Sequence, residues 1–254
     1  MGALPAPQGQ QRDVVYLREQ GHCVVLGTAG SGKTVMAVHR ARYLANAPGF
    51  GGPTLLVTYN AILVAYLRSL VGELPGVTVQ SYHPFARDWL RHRAGLSFRI
   101  CSREQRRVFV GTAVAGVRGA GEQKRAVLQR PVDFFLDEFD WLAGQGITDF
   151  DSYLDGRLER RGRVTALQPA DRALVHRVHL RYREILAAQG FDSDWSDLPG
   201  ELNRALADDR LARPYRHVVV DEGQDFSPEM IRSLVAGIPE DGSLTFFGDY
   251  AQQI

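Results

Sequence analysis

Two segments carry residue types at spacings that could do chemistry. The first, Gly27-Thr28-Ala29-Gly30-Ser31-Gly32-Lys33-Thr34, fits G-x-x-x-x-G-K-[ST], with an apolar run before it and a helical pattern after it. Its glycines allow backbone N–H groups to converge on phosphate oxygens, and the following helix N-terminus adds its dipole. All eight residues are candidate contacts for a nucleoside triphosphate; Lys33 is expected to neutralise the β and γ phosphates and Thr34 to hold Mg²⁺ through its hydroxyl. The second segment, VVVDEGQDFSP from Val218 to Pro228, ends a hydrophobic strand in two acids. Asp221 is expected beside the phosphate loop as a second Mg²⁺ contact, and Glu222 as the group that orients or deprotonates a water. An acid placed to activate water favours hydrolysis over phosphoryl transfer. That chemistry leaves Gln224 and Asp225 without a role.

The elements that must position these groups alternate. Apolar runs at 24–27, 54–58 and 77–81 predict strands, each followed by a helical pattern, at 33–47, 62–71 and 85–93. The alternation resumes with strands at 217–220 and 243–247, separated by a helix near 227–236 that has Ser227 as N-cap and Pro228 at its first position. The fold class is therefore α/β, a parallel sheet with helices on both faces. Between the two halves, helical patterns at 103–117, 132–143 and 170–189 predict a mostly helical insertion. The expected division is 1–93 and 193–254 for the two parts of the sheet domain and 94–192 for the insertion.

Asp221 to Asp225, D-E-x-Q-D, resembles motif II of the superfamily 1 helicases of the UvrD/Rep/PcrA group. Other pieces fall in that family's order. Gln11-Arg12-Asp13-Val14-Val15 resembles the Q motif, which implies that Gln11 reads the adenine edge, with Gln10 as the neighbouring alternative. Leu56-Val57-Thr58-Tyr59-Asn60 resembles motif Ia, Ser81 to Ala86 the T-F-H-x-L-A segment, and Asp194 to Leu198 the D-F-D-D-L stretch. Gly248-Asp249-Tyr250-Ala251-Gln252 matches G-D-x-x-Q of motif III, which implies that Gln252 senses the γ-phosphate. The resemblance spans Gln11 to Ile254 and implies a RecA-like P-loop NTPase domain, ATP and Mg²⁺ as cofactors, Gln224 as a further nucleotide-binding residue beside the phosphate loop, and Gln224 and Asp225 tying the hydrolysis site to neighbouring motifs. It further implies an ATP-dependent DNA helicase or translocase moving on single-stranded DNA, with a duplex junction or RNA as alternatives. Motif Ia departs from the family's longer T-F-T-N-K-A. The family's second RecA-like domain, with its arginine fingers, is expected to be missing from this chain, so the chain alone should hydrolyse ATP weakly. The alternative is an ATP- and nucleic-acid-binding module without helicase activity.

Single strands are held through backbone charge and base stacking. Thr58, Tyr59, Asn60, Tyr82 and His83, near strand ends, and Arg161, in the RLERRGR run with Arg157, Arg160 and Arg163, are the candidate nucleic-acid contacts. Core packing competes for Tyr82 and Phe85. The net charge of +1 is unevenly spread: residues 81–183 hold 19 Lys and Arg against 12 Asp and Glu, and nearly all of the positive charge is arginine. Two cysteines cannot build a disulfide framework. His176 and His179 share a helix face without further ligands at metal spacing. No apolar stretch approaches membrane-spanning length and no signal peptide opens the chain, so a cytoplasmic protein without membrane partners is expected.

Overall fold

A computed structural model describes residues 4–71, 74–160, 162–163, 165–208, 210 and 212–250. Contacts divide the chain into two compact units, Met1–Leu96 with Glu201–Ile254, and Ser97–Gly200.

The first unit is built on five parallel strands: β1 (Cys23–Gly27), β2 (Thr54–Thr58), β3 (Val77–Ser81), β4 (His217–Asp221) and β5 (Ser243–Asp249). Their order across the sheet is β1-β5-β4-β2-β3. β2 and β4 are buried at every position, as the continuous apolar runs TLLVT and HVVVD require of strands covered on both faces. β1 lies at an edge, and its Val24 and Leu26 face solvent. The helices are α1 (Gln10–Val15), α2 (Lys33–Asn46), α3 (Ala61–Val71), α4 (Tyr82–Arg93), α9 (Leu198–Leu206, straddling the division) and α10 (Pro228–Ala236). Ser227 caps α10 through its hydroxyl, which accepts from the Met230 N–H, and Pro228 opens the helix, as the sequence predicts. The core of this unit gathers Met36, Ala37, Val38, Ala41 and Leu44 of α2 around Leu56, Val219 and Phe247 of the sheet.

The Ser97–Gly200 unit is helical: α5 (Arg103–Val117), α6 (Val132–Gln145), α7 (Asp151–Leu154) and α8 (Pro169–Ala188). A capping box starts α5: the Ser102 hydroxyl accepts from the Gln105 N–H, and the Gln105 side chain accepts from the Ser102 N–H. Val110 and Val114 of α5, Phe135, Phe139 and Leu142 of α6, and Val175, Val178 and Tyr182 of α8 share one core.

This unit draws two arginines of the RLERRGR run, the candidate nucleic-acid contact, into its interior. Arg160 and Arg163 turn inward to the carboxylate of Glu138, which is fully buried and also accepts from the Tyr153 hydroxyl at 3.0 Å. A buried carboxylate demands such partners. Arg157 is exposed and pairs with Asp155, and Arg161 lies outside the described residues.

Candidate active site

The phosphate loop connects β1 to α2. Gly30 and Gly32 adopt φ of +77° and +82°, the left-handed region that a side chain strains to reach. A Cβ on Gly27 would stand 2.8 Å from the Ser31 hydroxyl, so the loop closes as tightly as it does only with glycine there. The Lys33 ammonium is nearly buried and turns back on the loop, donating to the carbonyls of Thr28 (2.8 Å) and Gly27 (3.1 Å) and pairing with Asp249 at 3.5 Å. Gln11 reaches the same loop, its Nε2 donating to the Ser31 carbonyl at 3.2 Å.

β4 brings Asp221 to this place. Its carboxylate is fully buried and neither oxygen has a hydrogen-bond partner of standard geometry among the described residues. Burial pushes its pKa up to about 6; Thr34 pulls it down, Glu222 pushes it up, and Lys33 pulls it down. A buried carboxylate beside a threonine hydroxyl offers a donor set of hard oxygens that fits Mg²⁺. Among the described residues of this unit the other buried side-chain polar atoms without partners are Ser31 Oγ in the loop, Thr58 Oγ1, whose residue is the register partner of Asp221, Trp89 Nε1 and Arg216 Nε.

Glu222 follows with φ of +54°, the only non-glycine in the left-handed region among the described residues. Such strain costs about 1–3 kcal/mol and clusters at functional sites. The Gln224 carboxamide answers the question its sequence position raised. Its Nε2 donates to Glu222 Oε2 at 2.6 Å and its Oε1 accepts from the Asp249 N–H at 3.0 Å, so it bridges the acid just after β4 to the end of β5. Gln224 therefore stands behind Glu222 rather than in the loop. The Asp225 side chain is largely exposed, and the partial desolvation it does undergo, followed by the charge of Glu222, raises its pKa.

One residue further, Phe226 links this segment to an aromatic patch. Its ring meets Tyr59 at 6.2 Å and Tyr82 at 5.8 Å edge to face, and Tyr59 meets His83 at 5.7 Å. Tyr59 is 40% exposed and His83 partly so. Two sequence candidates for strand contact need correction. Tyr82 is fully buried in the first turn of α4, its hydroxyl 2.6 Å from Ser233 Oγ, because the helix begins at Tyr82 and not at the predicted 85. Thr58 is fully buried on a central strand. Asn60 is exposed, and its Oδ1 accepts from the Ile62 N–H at the start of α3. Gln252 lies outside the described residues. The sequence reading missed Phe226 altogether, although its place directly after DEGQD is the signal that could have found it.

A parallel sheet whose first strand runs into this glycine cradle, with a buried acid on a neighbouring strand, defines an α/β RecA-like P-loop NTPase fold. A family model described as an AAA domain matches residues 10–254, and the chain belongs to that family, the UvrD/Rep-like helicase motors. Curated proteins similar to it include the ATP-dependent DNA helicases UvrD1 of Mycobacterium bovis and Mycobacterium tuberculosis, each 29% identical over 268 residues. Those alignments cover 96% of this chain and 33% of the relatives, so the chain spans about a third of their length. Among the described residues no helix is long and apolar enough to cross a membrane.

Proposed function

We propose that the chain is the ATP-binding motor domain of a UvrD-like helicase or translocase, using MgATP hydrolysis to drive movement along single-stranded DNA. The observation that carries this reading is the buried Asp221 carboxylate, without a partner of standard geometry among the described residues, beside Thr34 and Lys33 of the phosphate loop.

Thr34 and Asp221 would hold Mg²⁺, which supplies charge neutralisation on phosphate oxygens. Lys33 exchanges its hold on the Gly27 and Thr28 carbonyls and on Asp249 for the triphosphate, so nucleotide binding frees the end of β5 from one ion pair. Gln11 turns its carboxamide from the Ser31 carbonyl to the base. Glu222 orients a water and takes its proton on a carboxylate oxygen, while Gln224 holds the other side of that carboxylate in place. Tyr59 and His83 offer stacking faces to unpaired bases. Phe226, four residues past Glu222, transmits movement of the acid-bearing turn to Tyr59. Arg161 and Asn60 are proposed as backbone contacts, and Gln252 as the γ-phosphate sensor. The second RecA-like domain and the arginine fingers that such a motor needs are proposed as partners of this chain.

ATPase assays with and without single-stranded DNA, on the chain joined to a second motor domain, test the reading. Stimulation that Lys33→Ala and Glu222→Gln both abolish is expected, with Glu222→Gln retaining MgATP binding and Lys33→Ala losing it at least tenfold. No stimulation by any DNA or RNA would overturn it.

A further inference from the structure

Arg40 stands in the middle of α2 and is fully buried, where an arginine is found only with partners. Among the described residues its hydrogen bonds go to neutral oxygens. Nη1 donates to the carbonyls of Val15 (3.1 Å) and Leu17 (2.5 Å), Nη2 to that of Arg18 (2.6 Å), and Nε to Thr245 Oγ1 (3.3 Å). Three of these four oxygens belong to Val15, the last residue of α1, and to Leu17 and Arg18 in the chain just after it; that of Val15 is among the carbonyls a helix end leaves unpaired, toward which positive charge is favourable.

α1 has six residues, well under the roughly 12–15 at which a helix holds together unaided. Its position is therefore set by its anchors. Val15 sinks into the core at one end, and Gln11 rests on the phosphate loop at the other. Arg40 fastens the Val15 end to the same helix that begins at Lys33, and Thr245 adds β5, the strand that ends at Asp249.

We infer that Arg40 is a positioning residue for base recognition: its guanidinium fixes the reach of Gln11 over the phosphate loop, so that the preference among nucleobases depends on a side chain buried away from the nucleotide. This rests on the reading of Gln11 as the adenine contact. The planar fork is essential to it. A lysine keeps the charge but cannot span three carbonyls and a hydroxyl at once.

The experiment is equilibrium titration of the full chain with fluorescent ATP and GTP analogues in Mg²⁺ at low temperature, with circular dichroism confirming the folded state. The unaltered chain is expected to prefer ATP, and Gln11→Ala to erase the preference. Arg40→Lys is expected to lower the ATP-to-GTP affinity ratio about tenfold while changing GTP affinity less than about twofold; a general loosening would weaken both nucleotides alike. Should Arg40→Lys fail to fold, Thr245→Val removes the Nε contact alone and is expected to lower the ratio about threefold. A ratio unchanged in the folded Arg40 variant, or in Thr245→Val where that variant stands in for it, overturns this inference while leaving the reading of Gln11 intact. A wild-type chain without ATP preference, or a Gln11→Ala chain that keeps it, overturns the reading of Gln11 and this inference with it.

Discussion

At the scale of single residues, Asp221 is costly to the sheet domain. Fully buried, with neither oxygen partnered in standard geometry among the described residues and its pKa raised by burial to about 6, it disfavours the fold whenever it is charged. Asp221→Asn keeps the shape and removes the charge. It is expected to stabilise the nucleotide-free chain at pH 7 by about 2 kcal/mol, read as a higher Tm, and to lose the gain in nucleotide affinity that Mg²⁺ gives. A lower Tm would mean that the carboxylate has a structural partner. Asp221, Lys33 and Thr34 were legible in the sequence because their chemistry follows from a strand-loop-helix context that the backbone pattern alone defines. Thr58 and Tyr82 were not, because exposure at a strand end depends on what packs over it. For Tyr82 that is α10, through Ser233. Glu138 was hidden for the same reason: in DFFLDEFD it looks like any acid on a helix surface, and only the fold brings Arg160 and Arg163 to it.

At the scale of elements, the turn between β4 and α10 decides where Glu222 points. A Cβ on Gly223 would lie 2.3 Å from the Phe246 ring, so the backbone here is pressed flat against β5. Gly223→Ala must displace that aromatic ring or the turn. The expected cost is about 2–3 kcal/mol of stability, and since the displaced turn carries Glu222 and Gln224, ATP turnover should fall about a hundredfold or more even in the folded fraction. Phe246→Leu on the same background should restore part of both; stability without turnover would place the clash elsewhere. The strands at 54–58 and 77–81 match the sequence reading residue for residue, and the helix at 103–117 does too, because buried runs and long amphipathic patterns hold their form in any context. α1, α7 and the short helical turn Gly223–Asp225 escaped it. Each is too short to be specified by propensity, and each is held by distant partners such as Arg40.

At the scale of the whole molecule, residues 81–183 carry a basic excess, yet several of those arginines are paired inside the Ser97–Gly200 unit. Arg106 pairs with Asp194 and Asp140, Arg183 with Asp197, and Arg160 and Arg163 with Glu138. Charge counts along a chain cannot separate arginines that face solvent from those that close a small core. The same unit holds a half-buried His179 between Phe139 and Phe150 with Nδ1 unpartnered among the described residues, and burial, followed by the charges of Arg183, His176 and Arg106 against the opposing Asp194, brings its pKa down to about 4. His176, stacked on Phe150, is lowered in the same direction by burial. A histidine whose folded pKa lies below its unfolded value contributes stability that is complete above about pH 6.5 and drains away as the pH falls toward 4. At pH 5 the loss from His179 alone is about 2 kcal/mol. Thermal unfolding followed by tryptophan fluorescence checks this, since Trp141 and Trp195 belong to this unit. The Tm is expected to fall between pH 7 and pH 5, and His179→Phe, which keeps the ring stack and removes the titrating group, should flatten the fall. A pH dependence that His179→Phe leaves unchanged would move the acid sensitivity to the coupled pair Asp194 and Asp197.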